Sequence, residues 1–86
     1  MNNDEIRESI LQVVQSATGV ILDQSTVRAT GRLDDCLGLD SITSMSIVVG
    51  LEKRFGFLFD PEELTMDRIG DLAWLVDRIQ HRTRGT

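Results

Sequence analysis

Residues 38–52 read GLDSITSMSIVVGLE. Asp40 is of a type that accepts first-turn N–H groups, and apolar residues follow it at helical spacing. The stretch therefore predicts a helix capped by Asp40 and reaching about Phe55, where Gly56 stops it. At roughly 100° per residue, Ile47, Val48, Leu51 and Phe55 gather on one side of this helix. Ile42, Met45 and Val49 gather about 120° away. One apolar face can enter a core; the other has to meet a neighbouring element or a partner. Ser41 stands at the start of that helix.

Outward from this segment, Asn3 is expected to cap a first helix in which Ile6, Ile10, Val13, Val14 and Ala17 recur, with Gly19 ending it. From Gly19 to Leu39 no period is sustained, which predicts a long connection with one short helical turn over residues 33–37. Pro61, ahead of Glu62 and Glu63, suits the first turn of a short third helix. Asp67 is expected to cap a fourth helix from Arg68 to about His81, with Ile69, Leu72, Ala73, Val76 and Ile79 as its buried stripe. Trp74 falls off that stripe, either as an anchor for a partner or folded over neighbouring side chains. The brief run FGFLF (residues 55–59) could alternate as a strand or form a loop. The fold class is all-α: one domain over residues 1–86, a four-helix bundle with a long first loop and a short third helix.

Composition closes off several classes of function. A chain of 86 residues buries only roughly 60 to 65% of its unfolded surface, leaving little room for a deep catalytic pocket. With 41% hydrophobic and 27% charged residues the chain is of ordinary globular composition, and no apolar run approaches a membrane span. The polar, acidic start (Asn2, Asn3, Asp4, Glu5) lacks a signal-peptide core, which points to the cytoplasm. A net charge of −5 disfavours nucleic acid as a partner. Cys36 is the only cysteine and His81 the only histidine, so neither a disulfide, a metal set nor a Ser-His-Asp arrangement is well supplied. DDCLGLDS lacks the alternating oxygen ligands of a calcium loop.

Ser41 has two readings on chemistry alone. It can be a plain first-turn serine, or it can be an acceptor hydroxyl, because free N–H groups and the positive end of the helix dipole favour a phosphate ester there. Its setting is LDDCLGLDSI followed by LEKRFG, that is, Leu33, Asp34, Asp35, Leu37, Gly38, Leu39, Asp40, Ser41 and Ile42, then Leu51, Glu52, Phe55 and Gly56. This pattern resembles the acyl carrier protein signature, and MDRIGDLAWLV resembles that family's closing helix, so the likeness spans nearly the whole chain.

The resemblance implies a non-enzymatic carrier with covalent 4′-phosphopantetheine, taken from coenzyme A, on Ser41, and biosynthetic intermediates held on it as thioesters. It implies a phosphopantetheinyl transferase as partner, with a loading enzyme (acyltransferase or adenylating ligase), condensing enzymes and other pathway enzymes meeting a monomeric carrier. The implied partner face comprises Leu39, Asp40, Ile42, Met45, Val49 and Glu52, with lesser contributions from Glu62, Glu63 and Leu64. Carriers of fatty-acid synthesis usually show several acids along this helix, whereas Thr43 and Ser46 stand here. That departure favours a polyketide-like secondary-metabolite pathway. An aminoacyl or aryl carrier of a nonribosomal pathway, and an unmodified helical adaptor, stay open at this stage.

Overall fold

The computed structural model describes residues 2–35 and 37–83; Cys36 lies outside the described residues. Its elements are α1 (Asn3–Thr18), α2 (Gln24–Thr30), a 3₁₀ turn at Leu33–Asp35, α3 (Ser41–Phe55), a second 3₁₀ turn at Pro61–Glu63, α4 (Met66–Ile69) and α5 (Leu72–Thr83). The expected all-α architecture is present, with the long first connection and a short element after Pro61.

Helix α1 is capped by Asn2, one residue earlier than expected: its side chain accepts the Glu5 N–H at 2.8 Å. The shift places Asp4 and Glu5 in the first turn, where the positive end of the helix favours them. Ile6, Ile10 and Val14, spaced by four, are at most 1% exposed and face Ile47 and Leu51 of α3 and Leu75 and Ile79 of α5 in one core. Gly50 marks the tight passage between α1 and α3, since a Cβ there would stand 2.8 Å from Val13 Cγ1.

The first connection is not irregular throughout. Asp23 accepts N–H groups of Ser25 and Thr26 and starts α2, which Gly31 ends in the left-handed conformation that glycine adopts freely. Val27 is its anchor, at 1% exposure. Beyond it the Leu33 N–H donates to the Gly70 carbonyl at 2.8 Å and the Leu72 N–H donates to the Gly31 carbonyl at 3.0 Å. These two bonds tie the connection to the start of α5. Arg32 covers the junction with a two-pronged pair to Asp34 at 3.0 and 3.1 Å, and that guanidinium holds the Asp34 carboxyl below the usual carboxylate range.

The expected fourth helix is divided. Thr65, not Asp67, caps the single turn of α4 by accepting the Arg68 N–H at 3.2 Å, and Asp67 is exposed near Arg32 at 3.5 Å. Gly70 gives its carbonyl to Leu33, and Asp71 restarts the chain as α5 by accepting the Trp74 N–H at 3.2 Å. The restart changes the buried stripe to Leu72, Leu75, Val76 and Ile79, so Ala73 is exposed and Leu75 enters the core. Trp74 is half-buried: it stacks on Phe59 at 6.1 Å between the guanidinium groups of Arg68 and Arg78. Residues 55–59 form the end of α3 and a loop, within which Phe59 is buried.

The Phe59 N–H, part-buried, donates to Glu52 Oε2 at 2.9 Å. Glu52→Ala leaves that donor without its acceptor and is expected to cost about 1–3 kcal/mol of stability, while Glu52→Gln keeps an acceptor and costs less; denaturant unfolding checks the order. Asp34 and Asp40 both have folded-state pKa values below their unfolded ones. Their stabilising contribution is therefore complete above the unfolded carboxylate value of about 3.9 and is lost as pH falls through the folded values. Thermal unfolding should show the Tm dropping on acidification below about pH 4. Asp40→Asn, which keeps a capping side chain but removes its titration, should flatten that drop.

Candidate functional site

The site is built at the start of α3. Asp40 has extended backbone (φ −113°, ψ −178°), and its Oδ1 accepts the Thr43 N–H at 2.7 Å while its carbonyl accepts the Ser44 N–H at 2.9 Å. The Thr43 backbone N–H first, then the Thr43 side chain and the Ile42 N–H, hold the Asp40 carboxyl below its ordinary pKa. Ser41 is thereby fixed as the first helical residue, and it is exposed. The N–H groups of a first turn have no acceptor within the helix, so an anionic ester on this hydroxyl meets donors and the positive end of the α3 dipole.

The three serines of α3 have different surroundings. Ser44 is 2% exposed and its hydroxyl donates to Met66 Sδ at 3.2 Å, which makes it a packing residue. Ser46 is exposed one turn beyond Ser41. Ile42, Met45 and Val49 are exposed by 80%, 53% and 41%, so the second apolar face of α3 meets water. Together with Ser41, Ser46, Gly50, Lys53 and Ala17 of α1 they line an apolar groove of about 730 Å³. The residues expected at a partner face are only partly gathered there. Leu39 is half-buried against the core, and Glu52 is half-buried with its carboxylate on the Phe59 N–H. Glu63 is turned into pairs with Arg82 at 3.4 Å and Arg78 at 3.7 Å, and Glu62 and Pro61 are exposed.

Sequence reasoning missed Ser46, Gly50 and Lys53 as groove residues. Ser41, Met45, Val49 and Lys53 form one row of four-residue steps and Ile42, Ser46 and Gly50 the adjacent row, a periodicity that could have found them. His81 is exposed in the last turn of α5, and no group of three or more His, Cys, Asp or Glu that could hold a metal occurs among the described residues. No helix among the described residues is long and apolar enough to cross a membrane.

An exposed hydroxyl that lines an apolar groove, in the first turn of a helix, fits a phosphodiester bearing a long flexible arm. Comparison with known proteins agrees. A family described as "Phosphopantetheine attachment site" matches residues 8–78. The chain is similar to the acyl carrier protein of Tropheryma whipplei (strain Twist), 30% identical over 79 residues that cover 92% of this chain and 88% of that protein. It is likewise similar to the acyl carrier protein of Renibacterium salmoninarum, 34% identical over 80 residues covering 92% and 96%. Acyl carrier protein 2, mitochondrial, of Arabidopsis thaliana is 33% identical over 79 residues, 92% of this chain and 60% of that one. No solved structure matches the chain. The chain thus belongs to the acyl carrier protein family, whose members bear covalently attached 4′-phosphopantetheine and act as carriers for other enzymes, not as catalysts.

Proposed function

We propose that Ser41 is the residue modified in this chain and that the protein is a discrete carrier of a polyketide-like secondary-metabolite pathway in the cytoplasm. The observation that supports the assignment is the position of Ser41, exposed as the first residue of α3 and lining an apolar groove. A phosphopantetheinyl transferase directs the Ser41 oxygen onto the pantetheine-bearing phosphorus of coenzyme A; the diphosphate P–O bond breaks, adenosine 3′,5′-bisphosphate leaves, the serine proton is released, and the Ser41 oxygen becomes an ester oxygen of the phosphodiester. When attached, the arm supplies a terminal thiol that holds acyl groups as thioesters. The protein's own residues do the rest. Asp40 fixes where the helix starts, first-turn N–H groups favour the anion, and Ile42, Met45 and Val49 offer apolar contact to the enzymes that load, extend and release the cargo.

The pathway reading rests on the charge of this face. Between Asp40 and Lys53 its exposed side chains are neutral, and the carboxylate of Glu52 is engaged by the Phe59 N–H. An enzyme that docks here gains little from a basic surface and more from an apolar one. Leu39 and Glu52 border the face, Glu52 supplying the one carboxylate between Asp40 and Lys53.

Intact mass after incubation with a broad-specificity phosphopantetheinyl transferase, coenzyme A and Mg²⁺ tests the site. Wild type should gain one phosphopantetheine and Ser41→Ala none, with stability changed by no more than about 0.5 kcal/mol, as for an exposed residue outside the cap. Addition to the variant would sink the assignment. The initial rate of the same reaction tests the face: raising NaCl from about 50 to about 300 mM should change it less than about twofold, because screening acts on charge and not on apolar contact. A tenfold fall would return the face to the acidic, charge-steered type.

A further inference from the structure

Helix α5 carries Trp74, Arg78 and Arg82 at four-residue steps, a row that lines no part of the groove at Ser41. The guanidinium groups of Arg68 and Arg78 stand over the Trp74 ring, 5.8 and 5.7 Å from its centroid. Glu63 is the carboxylate set among these cations, pairing with Arg82 at 3.4 Å and more loosely with Arg78 at 3.7 Å. That pair serves Arg78 poorly, because its Nε is buried without a hydrogen-bond acceptor. Arg68 is exposed, and its hydrogen bond goes to the Glu63 carbonyl rather than to a carboxylate. The acids adjacent in sequence are turned elsewhere: Asp67 faces Arg32 at 3.5 Å, and Asp71 accepts the Trp74 N–H. Asp77 lies about 100° around α5 from Arg78. Three guanidinium groups thus share one carboxylate beside a half-buried tryptophan, in a chain whose net charge is −5.

We propose that this face of α5 is a docking surface for an acidic helix of a partner protein, separate from the groove at Ser41 and independent of modification there. Charge complementarity sets the sign of the partner, and spacing sets its form. Arg78 and Arg82 are one turn apart, about 6 Å along the axis, which matches two carboxylates at i and i+4 on a facing helix. One turn further back, Trp74 meets an apolar side chain of the same partner helix. A single phosphate is too small to span that row, whereas arginine and tryptophan together are the residue types that dominate contacts between proteins. Glu63 holds in cis the two cations that the partner's carboxylates take in trans, so it is an internal competitor for the surface.

The probe is a synthetic helical peptide of about 16 residues, with Glu at two positions four apart and Leu four positions beyond, titrated into the apo protein. Trp74 is the only tryptophan, so its indole N–H resonance is a single reporter. That resonance and the amides of Arg78 and Arg82 should shift with a Kd of about 0.1–1 mM, weakening about threefold between about 50 and about 300 mM NaCl. Glu63→Gln removes the competitor and should tighten binding about two- to fivefold, a gain that a merely structural role for these arginines does not produce. Arg78→Gln should weaken binding by about the same factor. No shift at several mM peptide, an equal shift with Gln in place of both Glu, or shifts centred on Arg7 and Arg28 would overturn the proposal. Inorganic phosphate that moves the indole as far as the peptide does would also overturn it, in favour of a small-anion site. Unchanged binding in Glu63→Gln would count against it equally; amide spectra check that each variant is folded, and where Glu63→Gln is not, Arg78→Gln decides.

Discussion

One hydrogen bond, from the Thr43 N–H to the Asp40 carboxylate at 2.7 Å, sets where α3 begins. Once that point is fixed, the helical period fixes every side chain after it. Ser41 meets solvent, Ile47, Val48 and Leu51 enter the core, and Ile42, Met45 and Val49 come out on the opposite flank. A helix that started one residue later would turn the whole set by about 100° and bring Ser41 toward the protein. The cap is thus a constraint on function before it is a contribution to stability.

The other elements serve to cover one side of α3 and leave the other open. Helices α1 and α5 close the core side, and α4 touches α3 at the Ser44–Met66 contact. The segment between α3 and α4 buries Phe59 and packs Phe57 and Leu64 against the core, although no residue of its 3₁₀ turn is buried. It is held as well by side chains that reach into it: Glu52 takes the Phe59 N–H, Arg82 donates to the Leu58 carbonyl at 3.3 Å, and Arg68 donates to the Glu63 carbonyl at 3.2 Å. A connection held in this way needs no covering element, so the outer flank of α3 stays clear.

What the sequence made legible follows from what is local. Asp40, the two apolar faces and Gly56 all act within a few residues, and the bounds and phase of α3 were readable from them. Helix α2 was not, because its seven residues carry a single core anchor, Val27, and no period can be heard from one residue. The division between α4 and α5 was hidden for the opposite reason. Ile69, Leu72, Val76 and Ile79 keep a helical period straight through the break, and only the bonds from Gly70 and Gly31 to a distant segment reveal it. At the site itself, the exposed serine and the outer stripe were legible. The engagement of Glu52 was not, since its partner is a backbone N–H seven residues on, across a turn that no local pattern specifies.

The same distinction governs charge. A net charge of −5 suggests an acidic surface, yet several acids are engaged within the fold: Asp34 with Arg32, Glu63 with Arg78 and Arg82, and Glu52 with a backbone donor. What remains along the outer side of α3 is an anion at its start, Asp40, an apolar middle, and a cation near its end, Lys53. These two charges oppose the helix dipole at either end, so the ends stay in a favourable field when an apolar surface covers the middle and excludes water. Such a face has an axis and a direction. On the function proposed above, apolar contact would supply the attraction, and the two terminal charges would decide which way along the helix an enzyme lies, and hence at which end its active site meets the arm.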